Sequence, residues 1–262
     1  MAEQQIRYTD GATYERTVGK WSQLAGDEFL RWLAPSSNLS WIDVGCGNGA
    51  FTELLVERCA PSSVTGLDPA EAQLVFAQSR PAIRFAKFQK GDAMALPFPA
   101  DSFDAAVMAL VIFFVPEPAK GVAEMVRVVK PGGLVSAYAW DLMNGGHPFE
   151  AMQVEMRELG IPPTLPPTAS VSRIEAMRDL WTAAGFRSIE TNEFAVHRTY
   201  DDFDDLWTTS SLTSSVAPKF NAMPLADIEV LKARMRARSP ADASGRITCS
   251  ARVTAVKGRV PQ

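Results

Sequence analysis

Cysteine and histidine are scarce. Three cysteines (Cys46, Cys59, Cys249) and two histidines (His147, His197) are spread through 262 residues. They form no C-x-x-C pair, which argues against a disulfide framework and against a zinc site, so no metal is expected. Their odd number and wide separation fit reduced thiols. With an N-terminus lacking a signal-peptide pattern, this sets the expectation of a cytoplasmic protein. Long apolar runs are also missing. None approaches the ~20 residues a helix needs to cross a bilayer, so no membrane span is expected. Nor is there a basic excess: 26 Lys and Arg face 30 Asp and Glu, a net charge of −4. That balance argues against a broad phosphate-binding surface and a nucleic-acid partner. Repeats and low-complexity tracts are absent. What is present is an ordinary globular composition, 47% hydrophobic and 21% charged, in a chain long enough for one large core with insertions.

Hydrophobic periodicity divides that chain. Residues 8–21 are polar with spaced aromatics, Tyr8, Tyr14 and Trp21. From Ser22 onward Ala25, Phe29, Trp32 and Leu33 share one helical face, and Pro35-Ser36-Ser37-Asn38 closes the segment. Beyond Trp41 strand and helix patterns alternate. Strands are expected at 41–45, 63–68, 83–88, 103–110 and 133–140, which predicts a parallel sheet with helices on both faces. Val122, Met125, Val126 and Val129 line one side of the helix before the fifth strand, and Lys130-Pro131-Gly132-Gly133 stops it. Residues 141–170 change character, with Asn144-Gly145-Gly146 and two proline pairs around one short helix at about 148–159. A helix carrying Ile174, Met177, Trp181 and Ala184 ends at Gly185, and a strand follows to about Tyr200. Residues 201–244 read as polar helices, and a last strand runs from Ile247 to Lys257. The two late strands, separated by an insertion, cannot both join by ordinary crossover helices, so they are expected to close as a hairpin-like pair. The reading is a single domain, 1–262, with an N-terminal cover and helix at 1–35. Segments 141–170 and 201–244 are expected to form a substrate lid.

The densest signal is Trp41-Ile42-Asp43-Val44-Gly45-Cys46-Gly47-Asn48-Gly49-Ala50-Phe51. An apolar run reaches an acid and a glycine-rich turn, and Phe51, Leu54, Leu55 and Cys59 then recur at helical spacing. Such a strand–turn–helix lets a ligand lie on bare backbone, beside the unpaired N–H groups of a helix start. The third glycine stands one place earlier than in the dinucleotide fingerprint G-x-G-x-x-G. Asp68 ends the second strand. A carboxylate there can accept from two vicinal ribose hydroxyls, and it can also cap the next helix with Pro69 at the first helical position.

These features, with Gly91-Asp92-Ala93 after the third strand and Asp101-Ser102-Phe103-Asp104 leading into an apolar strand, resemble class I S-adenosylmethionine (SAM)-dependent methyltransferases. The resemblance is to the type 11 group that includes ubiquinone/menaquinone C-methyltransferases. Tyr14-Glu15-Arg16-Thr17-Val18-Gly19-Lys20-Trp21-Ser22 is similar to the N-terminal segment of a bacterial subgroup. The resemblance implies an α/β fold: a Rossmann-like seven-stranded sheet, mostly parallel with its last strand antiparallel, and helical lid insertions. It implies SAM as cofactor, S-adenosylhomocysteine as product and a small-molecule methyl acceptor as partner. Cofactor contacts are implied at Tyr14, Trp21, Asp43, Gly45, Cys46, Gly47, Asp68, Pro69, Gln73, Asp92, Ala93 and Leu110. Among these, Asp92 would receive the adenine amino group, or else sit in a surface turn. Tyr14 and Trp21 would close over the sulfonium, or else pin their segment to the core. Asp104 is read as structural.

Methyl transfer from a sulfonium needs alignment and exclusion of water, and a base only where the nucleophile must lose a proton. No motif names a base; His147 and Asp141 are the candidates. Residues 8–22 are expected to gain order when the cofactor binds. Competing readings are a SAM-binding sensor or partner subunit without turnover and a nicotinamide-dependent oxidoreductase.

Overall fold

The computed structural model describes residues 15–162 and 164–262. Seven strands form one sheet: β1 Ser40–Val44, β2 Ser63–Asp68, β3 Lys87–Lys90, β4 Phe103–Ala109, β5 Val129–Trp140, β6 Arg187–Tyr200 and β7 Ile247–Arg259. Their order across the sheet is β3-β2-β1-β4-β5-β7-β6. The first five pair in parallel. β7 enters antiparallel between β5 and β6, the hairpin-like closure expected of the late strands. Trp41, Ile42 and Val44 of β1 and Ala105 to Met108 of β4 are buried without alternation. Strands covered on both faces have no polar side to present.

Helices α1 Lys20–Leu33, α2 Ala50–Cys59, α3 Glu71–Gln78, α4 Pro118–Val128 and α6 Ile174–Ala183 pack around the sheet. α1 buries Ala25, Phe29 and Leu33 of the stripe its spacing predicts, together with Trp21 and Leu30, while Trp32 is only partly buried. Four further helices belong to the insertions: α5 Glu150–Glu158, α7 Phe203–Ser211, α8 Ala217–Phe220 and α9 Leu225–Arg238. α9 is tied to α5 by Arg238 to Glu155 at 2.6 Å and Arg234 to Glu158 at 3.6 Å. Asp104 is structural, as expected. It accepts from the Ser40 backbone N–H at 2.9 Å and from the Ser40 hydroxyl at 2.8 Å. The Lys130 ammonium and these Ser40 bonds hold its carboxyl down to about 2.

Two strand boundaries differ from expectation. The third strand lies at Lys87–Lys90 rather than 83–88, behind a one-turn helix at Pro81–Ile83. Ile83 is fully buried and supplied the apolar signal. The strand itself, Lys-Phe-Gln-Lys, is a sheet edge, where charge guards unpaired backbone and erases the hydrophobic pattern. β5 starts at Val129, so Lys130–Gly133 enters the strand instead of forming a turn. Gly132 N–H donates to the Val260 carbonyl at 2.9 Å and Val260 N–H to that of Gly133 at 3.0 Å.

Candidate functional site

The glycine turn leaves β1 and is laced to β2. The N–H groups of Gly45 and Cys46 both donate to the Leu67 carbonyl, at 2.7 and 3.0 Å. Gly45 (φ 78°) and Gly47 (φ 52°) both take left-handed conformations, where a Cβ is strained. The two serve different ends. A Cβ on Gly45 would stand 2.5 Å from a Val111 methyl, whereas one on Gly47 would meet nothing within 4 Å. Gly45 permits close packing, and Gly47 keeps a floor of bare backbone open to a cavity.

Two carboxylates flank that floor. Asp68 Oδ2 accepts the Gly47 N–H at 2.9 Å, and its Oδ1 accepts the Ala70 N–H at 2.8 Å. Burial raises its pKa while the two N–H groups pull it down. A carboxylate has about four lone-pair sites, so acceptor capacity remains. Helix α3 begins at Glu71 with Ala70 in the cap position. Asp68 therefore does not cap it and Pro69 is not its first residue; the carboxylate is spent on the loop amides before the helix. Asp43 is fully buried beneath the turn. Its Oδ2 accepts the Thr52 hydroxyl at 2.7 Å, and its Oδ1 has no partner among the described residues. Burial pushes Asp43 up to about 7, the Thr52 bond opposing and the Asp68 charge adding.

The cavity measures about 820 Å³ and runs along the carboxyl ends of the central strands, where open α/β sheets bind ligands. Asp43, Gly45, Cys46, Gly47, Asp68, Pro69, Gln73 and Leu110 all line it. Leu110 holds φ at 59° and donates its N–H to the Tyr138 carbonyl at 2.9 Å. That conformation costs a non-glycine residue on the order of 1–3 kcal/mol and turns the chain from β4 into the wall.

Other expected residues lie elsewhere. Trp21 does not line the cavity. It is fully buried, its indole N–H donates to the Tyr200 hydroxyl at 3.0 Å, and its edge meets Trp140. It pins the arm to β6, and its neighbours Val18 and Ser22 reach the cavity instead. Tyr14 lies outside the described residues. Asp92 is exposed and accepts the Met94 N–H at 2.9 Å; neither it nor Ala93 is in the wall. Asp141, a candidate base, is a latch: buried away from the cavity, it pairs with Arg252 at 2.8 Å and accepts from the Asn144 amide at 3.0 Å.

His147 does line the cavity. Its Nδ1 accepts the Phe149 N–H at 3.1 Å. Burial, reinforced by the Arg157 charge, pushes its pKa down to about 3. The ring is neutral and its lone pair is engaged, so it is not set up as a base.

Half of the wall carried no motif. Phe113, Phe114, Trp140 and Phe149 form it with Gln153, Leu165, Thr213 and Ser215. Most of these come from the insertions, and tertiary folding alone brings them together. Among the described residues no cluster of three metal-ligating side chains occurs, and no helix is long and apolar enough to cross a membrane.

Comparison with known proteins follows the motifs. Residues 42–137 match the family model of a methyltransferase domain. Over 117 residues the chain is 38% identical to the chloroplastic 2-methyl-6-phytyl-1,4-hydroquinone methyltransferase 2 of Oryza sativa subsp. japonica, covering 44% of this chain and 34% of that one. Over 102 residues it is 38% identical to the demethylmenaquinone methyltransferase of Desulfitobacterium hafniense, 37% of this chain and 40% of that one. The matched segments thus span about a third to two fifths of these relatives' lengths. The fold is shared with phosphoethanolamine N-methyltransferase 2 of Haemonchus contortus, solved in complex with S-adenosyl-L-methionine. That superposition has a TM-score of 0.59 at 17% identity, over 96% of this chain and 56% of that one.

Proposed function

We propose, for a chain whose residues 42–137 are a methyltransferase domain, that the cavity binds SAM and that the protein transfers a methyl group to a small molecule held on the lid side. The observation that carries this is the charge of the wall. Asp43 and Asp68 line the cavity, and among the described residues no lysine or arginine does. A dinucleotide would bring two phosphates against the Asp68 carboxylate, with no lysine or arginine among the described lining residues to offset them. SAM brings an ammonium and a sulfonium, and favourable Coulomb energy in a poorly hydrated site. This is also why the nicotinamide reading is set aside.

SAM supplies a methyl group on a positively charged sulfur, which a nucleophile displaces in line. The chain's residues bind and shield. Asp68 offers its remaining lone pairs to the ribose hydroxyls. The orphan Asp43 Oδ1 offers an acceptor at the floor, and the open backbone at Gly47 admits the ligand. Phe113, Phe114 and Leu165 give the acceptor side an apolar face, which suits a displacement that fails if water competes. Segments 141–170 and 201–244 act as the lid, a reading supported by the wall residues each contributes. Asp92 and Ala93 are left out of the assignment because neither lines the cavity. The relatives' names, methyltransferases of a hydroquinone and of demethylmenaquinone, support a small-molecule acceptor.

Calorimetric titration with SAM and with NADH tests the proposal. SAM should bind with one site per chain and NADH should give no heat. Saturable NADH binding without a SAM signal would overturn it.

A further inference from the structure

The part of the cavity wall built by the insertions carries polar groups that the cofactor assignment leaves unused. Gln153 and Ser215 are 4% and 5% exposed, yet both line the cavity. Ser215 brings a hydroxyl to that wall. A hydroxyl on a cavity wall can exchange a water's hydrogen bond for a ligand's. The Gln153 amide nitrogen lies 3.0 Å from His147 Nδ1 and 3.4 Å from its Nε2, so the two side chains meet edge to edge and the amide brings an acceptor oxygen to the same stretch of wall.

His147 completes the group. Because Nδ1 accepts the Phe149 N–H at 3.1 Å, the neutral ring must carry its proton on Nε2 and can only donate there. The set therefore offers an N–H from His147, an acceptor from Gln153 and a hydroxyl of either sense from Ser215. None is charged. Among the described residues no cation lines the cavity, and its two carboxylates flank the glycine turn. Phe113, Phe114 and Leu165 make most of the rest of the acceptor side apolar, and the Thr213 hydroxyl beside them donates to the Ser210 carbonyl at 2.9 Å. An ionised acceptor would leave water for a wall without a counter-charge, a heavy penalty.

We propose that His147, Gln153 and Ser215 form the acceptor-recognition site, and that the acceptor is an uncharged, largely apolar molecule bearing a hydroxyl or carbonyl oxygen that they hydrogen-bond. The proposal rests on the methyltransferase reading and deepens it: His147 orients the acceptor and removes no proton.

The test uses the full chain saturated with S-adenosylhomocysteine and four ring probes matched in size: naphthalene, 2-naphthol, 2-naphthoate and 2-naphthylmethylammonium, at neutral pH. 2-Naphthol should bind ~10-fold more tightly than naphthalene or either ion, the worth of about one net hydrogen bond. Ser215→Ala and Gln153→Leu should each weaken 2-naphthol while leaving naphthalene and S-adenosylhomocysteine affinities unchanged, which also shows that the variants fold. The proposal is overturned if either ion binds as tightly as 2-naphthol. It is equally overturned if 2-naphthol gains nothing over naphthalene, or if both variants keep the native 2-naphthol affinity. Failure of S-adenosylhomocysteine to bind the native chain would instead strike the methyltransferase reading, and the same probes on the free protein would still decide the acceptor question.

Discussion

Asp68 holds the Gly47 N–H with one carboxylate oxygen and the Ala70 N–H with the other. Replacing it by alanine removes both loop anchors along with the ribose acceptor. With a charged hydrogen bond worth about 1.5–3 kcal/mol, Asp68→Ala should raise the SAM dissociation constant ~10-fold or more while circular dichroism stays native. An unchanged constant in a folded variant would restrict Asp68 to the loop. A second prediction concerns two groups that titrate in opposite senses. His147 is pushed down from 6.5 to about 3, so between those values the unfolded chain binds more protons and stability falls as pH falls. Asp43 is pushed up from 3.8 to about 7, so the folded chain keeps a proton that the unfolded chain releases, and stability falls as pH rises through that window. The two largely offset each other. Relative to the native chain, His147→Gln should lose stability as pH rises from about 4 to 7, and Asp43→Asn should gain it. Urea melts across that range would contradict this if both variants kept the native pH slope. Asp43, Gly45, Gly47 and Asp68 were legible in the sequence because backbone geometry requires them at those spacings. Trp21 took the second of its two expected places, pinning its segment to the core, and Asp141 was misplaced, because an aromatic or an acid near a site looks alike whether it faces the ligand or the core. Only the Tyr200 and Arg252 partners, 179 and 111 residues away, decide.

Among the elements, the N-terminal arm departs most from expectation. Ordering of residues 8–22 on ligand binding is not what residues 17–22 need. Arg198 donates to the Thr17 carbonyl at 2.9 Å and lies 4.4 Å over the ring of Tyr200, whose hydroxyl accepts the Trp21 indole N–H. That stretch is held on β6 by contacts within the chain itself. Hydrogen exchange at residues 17–22 should therefore be slow with and without S-adenosylhomocysteine; protection appearing only with ligand would contradict a permanent arm. Tyr200→Phe would leave the buried indole N–H unpaired, at about 1–3 kcal/mol, and should lower the melting temperature by ~2–4 °C for each kcal/mol lost in a domain of this size. A melting temperature identical to the native chain would show that the bond contributes nothing. Strand β3 shows the limit of pattern reading at this scale: an edge segment with Lys87 and Lys90 carries no apolar alternation, while the buried Ile83 beside it does.

At the scale of the molecule, the parallel half of the sheet follows from alternating βα patterns, and the antiparallel insertion of β7 from late strands joined through the 201–244 insertion and not by an ordinary crossover helix. The acceptor half of the cavity had no such signal. Gln153 and Ser215 lie 62 residues apart on insertions of no fixed spacing, and nothing local says that both face one cavity. The cofactor half obeys backbone rules, and the central claim concerns that half. A crystal structure of the protein grown with S-adenosylhomocysteine tests it most directly. The account predicts ligand density against the backbone of Gly45 to Gly47, with ribose hydroxyls within hydrogen-bond distance of the Asp68 carboxylate and the amino group on the Asp43 side. Density absent from this cavity at saturating ligand, or found at another site, would contradict it.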